Sequence, residues 1–302
     1  MQQVKTAFYD LQICPVTWSF ADAILRAKDA GCQRFVIVDG QRHAKLTHFP
    51  PHEVKMRINS IARPLIANAG MEYVFIKNRE DVIRIWSKDC YPRWYKPHMP
   101  KRAYRGTTVS SRVEVKSRFQ PNPDLMQQLR TEYGNPIVMT IRQQRFQPER
   151  NANIPEWIAA GQELERQGFS VVIVPDFENP NTEFGGLRVC RQAASNMELR
   201  LALMHTAMVN FFGSNGPVAI AISDERIPAI YIHWLFPDCA NSNADLLALM
   251  GFFEGQQPEG FGPNQWIAWS TDNREGILES FRQWCALNPE RVESARTMEC
   301  VK

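Results

Sequence analysis

Three arginines fall within nine residues of the stretch IRQQRFQPERNANIPEW: Arg142, Arg145 and Arg150, followed by Asn151 and Asn153. A guanidinium binds phosphate oxygens as a planar fork. The apolar run just before it, Pro136–Ile141, reads as a buried strand, so the cluster lies at a strand end. Ile154–Gln167 reads as a helix starting at Asn153, and a helix start adds backbone N–H groups and a positive dipole end. Together these suit a phosphate or a nucleoside diphosphate, although surface arginines and a plain Asn153 cap account for the same residues. A second position, FFGSNGPVAIA, runs from the strand Val209–Gly213 through Ser214, Asn215 and Gly216 into a short helix opened by Pro217. Small residues let a ligand approach the backbone there, and a proline is tolerated in a first helical turn. A third, VPDFENP, puts Asp176 and Glu178 after the strand Ser170–Val174, where a carboxylate can accept hydrogen bonds from ribose hydroxyls. Two carboxylates with no third ligand nearby do not make a metal site.

Absences narrow the chemistry. No G-x-G-x-x-G follows a strand, no G-x-x-x-x-G-K-[ST] occurs and there is no G-x-S-x-G, which disfavours nicotinamide or flavin enzymes, P-loop hydrolysis and a serine nucleophile elbow. His43, His48 and His52 are interrupted by Pro50 and Pro51, so zinc is not expected. The seven cysteines include no C-x-x-C and read as isolated reduced thiols.

Apolar strands alternating with amphipathic segments define an α/β protein, and 302 residues are enough for two domains. The expected division is a Rossmann-like domain over 1–95, a basic irregular linker over 96–130 and a second Rossmann-like domain over 131–302. In the first, Val4–Tyr9, Phe35–Val38 and Tyr73–Ile76 read as strands, with helices around Ala21–Ala30 and Val54–Asn68 and a helix stop at Gly31. In the second, Met197–Met208 reads as a helix capped by Asn196, Ala229–His233 as a strand, Gln265–Ser270 as another, and Asn273–Cys285 as a helix opened by Thr271 or Asp272. The net charge of +3 conceals an imbalance: residues 1–130 hold 22 Lys+Arg against 11 Asp+Glu, and residues 131–302 hold 13 against 21. A basic first half suits an anionic glycan, an anionic lipid or another polyanion. The segment Tyr91–Arg118 carries eight Lys/Arg and one acid, among aromatics, and offers such a surface or simply a solvated connection. No apolar run is long enough to span a bilayer, and MQQVKTAFYD lacks a signal-peptide centre, so a cytoplasmic protein is expected, with peripheral contact at the inner membrane face.

IRQQRFQPERNANIPEW, SNMELRLALMHTAMVNFFGSNGPVAIA and WIAWSTDNREGI together resemble the nucleotide-sugar-binding domain of GT-B glycosyltransferases. The whole chain is similar to bacterial glycosyltransferase-like proteins of surface-polysaccharide pathways. The resemblance implies two Rossmann-like domains facing across a cleft, the second holding a nucleotide sugar and the first a glycan or lipid-linked acceptor, with no nucleic acid involved. It implies Arg142 and Arg150 on the donor phosphates beside Asn215 and Gly216, with Glu178 toward the ribose or base; the reading of the residues themselves adds Arg145 to the phosphates and Asn153, Asp176 and Ser214 to the nucleoside or sugar. No cofactor or metal is implied. The acceptor base falls to Asp10 at the end of the first strand, ahead of Asp39 or His43. The glycine-rich loop common in the first domain of this fold is not evident. Two rivals are a non-catalytic glycan- or nucleotide-binding module of the same fold and a sugar-nucleotide epimerase.

Overall fold

The computed structural model describes residues 4–13, 19–39, 50–98, 114–239 and 242–299. His43 and most of the basic stretch that follows residue 98 therefore lie outside the described residues. The described chain falls into two compact units, one running to Gln120 and the other from Pro121 onward.

The first unit holds three parallel strands, β1 (Thr6–Asp10), β2 (Arg34–Val38) and β3 (Glu72–Ile76), with β2 in the middle. On the free side of β1, Tyr91 adds a parallel bridge: the Phe8 amide donates to Tyr91 O and the Tyr91 amide to Thr6 O. Helix α1 (Ser19–Asp29) links β1 to β2 and stops at Gly31, whose φ of 76° suits a residue without a Cβ. The described part of the crossover from β2 to β3 is one long helix in three parts, α2 (Pro51–Arg57), a π turn (Ile58–Ala62) and α3 (Arg63–Asn68). Pro64 has no N–H to give the preceding turn, and the widened π turn lies directly before it.

Residues 114–120 belong to this unit and are fastened to it. The Lys116 and Ser117 amides donate to the Asp29 carboxylate at 2.6 and 2.9 Å, Asn68 and Gln120 exchange two hydrogen bonds, and Val115 and Phe119 are buried. The expected irregular linker therefore gives way here to an ordered strap. Its last part is helical: α4 (Pro123–Tyr133) has Pro123 in its first turn, and Asn122 Oδ1 accepts from the Asp124 and Leu125 amides. Leu129 and Tyr133 bury one face of α4 in the second unit's core.

That unit is a six-stranded, all-parallel sheet of β4 (Ile137–Thr140), β5 (Val171–Val174), β6 (Arg188–Val189), β7 (Val209–Phe212), β8 (Ala229–Ile232) and β9 (Gln265–Ala268), in the order β6-β5-β4-β7-β8-β9. Counted within the unit this is 3-2-1-4-5-6, the doubly wound order. β4, β5, β7 and β8 are buried along their whole length, as a sheet covered on both faces requires. Alternation splits the core in two. Ile137, Met139 and Ile141 join Trp157, Leu164, Phe281 and Trp284 beneath α5 (Ile154–Arg166) and a later helix over Arg274–Leu287. Val138, Val172 and Val174 join Leu129, Ala202 and Leu203 beneath α4 and α6 (Met197–Thr206). Asn196 Oδ1 caps α6 through the Leu199 amide. Short helices α7 (Val218–Ser223) and α8 (Ala244–Leu249) precede α9 (Arg274–Leu287) and α10 (Pro289–Glu299). The cap of α9 is Asn273, whose Oδ1 accepts from the Gly276 amide at 2.7 Å, and not Thr271 or Asp272 as expected. Among the described residues, no helix is long and apolar enough to cross a membrane.

Candidate functional site

In a doubly wound sheet the strand order reverses at one place, and the crevice beyond the carboxyl ends there is where ligands bind. Here it lies between β4 and β7. Arg142 follows β4, and Gly213, Ser214 and Asn215 follow β7, so the fold brings together two of the three positions singled out in the sequence.

Arg142 is buried, 3% exposed, and spends its guanidinium on its own loop. Nη1 donates to Gln147 O and to Asn151 Oδ1, and Nη2 donates to Phe146 O. Asn151 ties the same loop through both directions of a hydrogen-bond pair with Gln144. Arg150 crosses the crevice: Nε and Nη2 donate to Ser214 Oγ at 3.1 and 2.8 Å, Nη2 also to Ser214 O, and Nη1 to Gln147 Oε1. Among the described residues neither guanidinium forms an ion pair with a carboxylate; every acceptor they use is a neutral oxygen. Burial pushes the Arg142 guanidinium down to about 10, and the charge of Arg150 pushes the same way. Arg150 is likewise lowered by burial. Arg145, in contrast, points to solvent and lies 3.5 Å from Glu178 Oε2.

A third arginine sits at the same strand end. Arg200 on α6 donates from Nη1 to Ala193 O and from Nη2 to Thr140 Oγ1, while its buried Nε has no partner. Asn215 donates from Nδ2 to Thr140 O at 3.3 Å and leaves its buried Oδ1 unpaired. Two side chains bonded to Thr140 thus each keep one buried unpaired atom, a donor on Arg200 and an acceptor on Asn215, groups that a polar ligand or water would complete. Gly216 accepts from the Ala219 amide and shapes the turn.

The acidic pair is turned inward. Asp176 accepts from the Gln143 and Glu178 amides, and Glu178 from the Arg145 amide, so both carboxylates brace the loop after β4. Among the described residues no cluster of three or more His, Cys, Asp and Glu side chains could hold a metal ion. Asn153 makes no side-chain cap; its backbone N–H donates to Asp272 Oδ2 at 2.8 Å. The start of α5, expected to face a phosphate, is filled by the protein's own carboxylate.

Asp272 also collects Trp157 Nε1–H at 2.9 Å on Oδ2 and His233 Nδ1 at 2.8 Å on Oδ1. Burial raises its carboxyl, but the bonds from His233, Asn153 and Trp157 outweigh that and hold it below the usual range. His233 sits just past β8 with φ 55°, in the left-handed region that non-glycine residues seldom occupy. Its ring lies against Phe236, with centroids 4.4 Å apart, and Nε2 has no hydrogen-bond partner among the described residues.

In the first unit, Asp10 is wholly buried at the end of β1. Its oxygens take Arg79 Nη2 at 2.6 Å, Tyr95 Oη at 2.9 Å and the Gln12 amide at 3.0 Å. Burial raises the carboxyl against the pull of Arg79.

No family model matches the chain, and no curated protein does. Solved structures similar to it include E. coli ADP-heptose lps heptosyltransferase II, at 11% identity over 90% of this chain and 81% of that one, with a TM-score of 0.40. A glycosyl transferase family 9 structure from Veillonella parvula DSM 2008 aligns at 10% identity over 99% and 98%, with a TM-score of 0.45. E. coli heptosyltransferase WaaC with ADP aligns at 10% identity over 92% and 99%, with a TM-score of 0.42. These values transfer neither activity nor ligand.

The residues that sequence reasoning missed, Arg200, His233 and Asp272, stand in segments read as plain helix, strand and cap. Arg200 had one usable signal, a charge inside the otherwise apolar face of α6.

Proposed function

We propose that the chain is a metal-independent glycosyltransferase of GT-B type, its second unit taking the diphosphate of a nucleotide sugar and its first unit the glycan or lipid-linked acceptor. The observation that carries the reading is the pair Arg142 and Arg150: one buried and one half-buried guanidinium at a switch point, both hydrogen-bonded only to neutral oxygens. Asp176, Glu149 and Glu178 act on Arg142 and Glu149 on Arg150 only at longer range, and a desolvated charge without a direct ion pair is costly. A bound diphosphate supplies the missing anion, and the same two charges then stabilise it as it leaves the sugar. The orphan Asn215 Oδ1 suits a donor such as a sugar or ribose hydroxyl.

A thermal-shift panel of UDP, GDP, CDP, CMP and ADP tests this. One nucleoside diphosphate should raise the melting temperature by mass action, unchanged by EDTA, and Arg150→Ala should abolish the rise. A panel without any shift, or a shift that survives Arg150→Ala, removes the anion site. A shift lost in EDTA and restored by magnesium or manganese removes the metal independence.

A further inference from the structure

The pair His233–Asp272 remains unused by that reading. Phe212 pairs with Tyr231 across β7 and β8, so Ser214 and His233 follow the carboxyl ends of two adjacent strands, and neighbouring strands lie only about 4.8 Å apart. Ser214 is the residue that receives Arg150. The loop after His233 closes back on the same place: the Phe236 amide donates to Ser242 O, and Ser242 Oγ is 3.3 Å from Ser214 Oγ. His233 therefore follows the strand next to the one whose end receives Arg150, and Phe236, against which its ring lies, belongs to the loop that returns to Ser214 through Ser242.

Its orientation is that of a working histidine. Nδ1–H is spent on a carboxylate already held by the Asn153 amide and Trp157, which fixes the tautomer and aims Nε2 away from Asp272. Filling the start of α5 needs Asp272 but no histidine. A left-handed backbone is where glycine is at ease, and the chain places an imidazole there instead.

We propose that His233 is a further contact to the diphosphate, its Nε2 taking up a proton as the anion binds and donating that N–H to a phosphate oxygen, while Asp272, as a positioning residue, holds the ring through Nδ1. This rests on the anion site proposed above.

Inorganic pyrophosphate is the probe, titrated calorimetrically into the full chain and into His233→Asn, Asp272→Asn and Arg150→Ala. Asparagine tolerates the left-handed backbone, so His233→Asn should melt as wild type does. The expected result is binding by wild type and a loss of about tenfold or more in His233→Asn, the size of one charge-assisted hydrogen bond. Nitrogen-15 spectra of the histidines, assigned through His233→Asn, should show the His233 Nε2 signal moving with pyrophosphate, and Asp272→Asn should change the tautomer. Pyrophosphate binding by His233→Asn within twofold of wild type, with Arg150→Ala defective, would show His233 to be structural and leave the anion site standing. An unmoved Nε2 signal in saturated wild type overturns the proposal even if the variant binds pyrophosphate poorly. Absence of binding by wild type removes both readings together.

Discussion

Arg142 and Arg150 are the same chemical group eight residues apart, and burial divides their tasks. Arg142 holds three oxygens of its own loop, so Arg142→Ala should lower stability by about 2 kcal/mol or more, read from denaturant unfolding. Arg150→Ala removes bonds to Ser214 but also relieves the repulsion that depresses Arg142, and its melting temperature should stay near that of wild type. Equal losses in the two variants would reject this division. The arginine cluster and the Ser214–Asn215 turn were legible because each lies in one short stretch beside a strand. Arg142 as a loop brace was not, because spacing says nothing about which oxygens a guanidinium reaches. His233 and Asp272 were hidden for a second reason: Asp272 meets Asn153 across 119 residues of sequence. Such a contact exists only once β4, β8 and β9 share a sheet.

At the scale of elements, the buried strands of the second sheet announced themselves as short apolar runs, and Asn196 and Gly31 as helix boundaries. Helix α4 did not, because its polar outer face and position beside the basic stretch made it look like linker; its apolar Leu129 and Tyr133 mark the face it buries. β6, two residues long, carries too little pattern to see. The end of α6 supplies a prediction. His205 is mostly buried, 3.6 Å from Asp224, and burial lowers its pKa from the ordinary 6.5 more than Asp224 raises it. The unfolded chain therefore binds the proton first, and stability should fall as pH drops below about 6.5 and on through the folded value. Melting temperatures of wild type and His205→Gln across pH 8 to about 5 check this: the variant should show the flatter profile, and parallel profiles would reject it.

For the molecule as a whole, the division at Pro121 leaves Arg142, Arg150, Arg200, Ser214, His233 and Asp272 in one unit with its own two-faced core. Residues 121–302 expressed alone should melt cooperatively and bind pyrophosphate within a few-fold of the full chain. A truncated chain that folds yet does not bind would show that the site needs the first unit. The charge imbalance follows the same boundary broadly, with the excess of Lys and Arg in the first 130 residues and the excess of acid beyond them. The α/β character with parallel strands was readable from pattern, whereas the strap of residues 114–120 was not, since Asp29 holds it through backbone amides that any sequence offers.

One glycine ties the scale of the residue to that of the chain. Gly276 lies in the first turn of α9, so close to the Thr271 carbonyl oxygen that a Cβ there would collide with backbone. In most helices exchanging glycine for alanine stiffens the chain and strengthens the fold. At this position the added methyl would push on the turn that carries Asp272, and the His233 ring would lose its setting without any change to a polar residue. The usual gain is therefore reversed here: Gly276→Ala should melt below wild type and detune the crevice from a distance, by a hydrogen exchanged for a methyl.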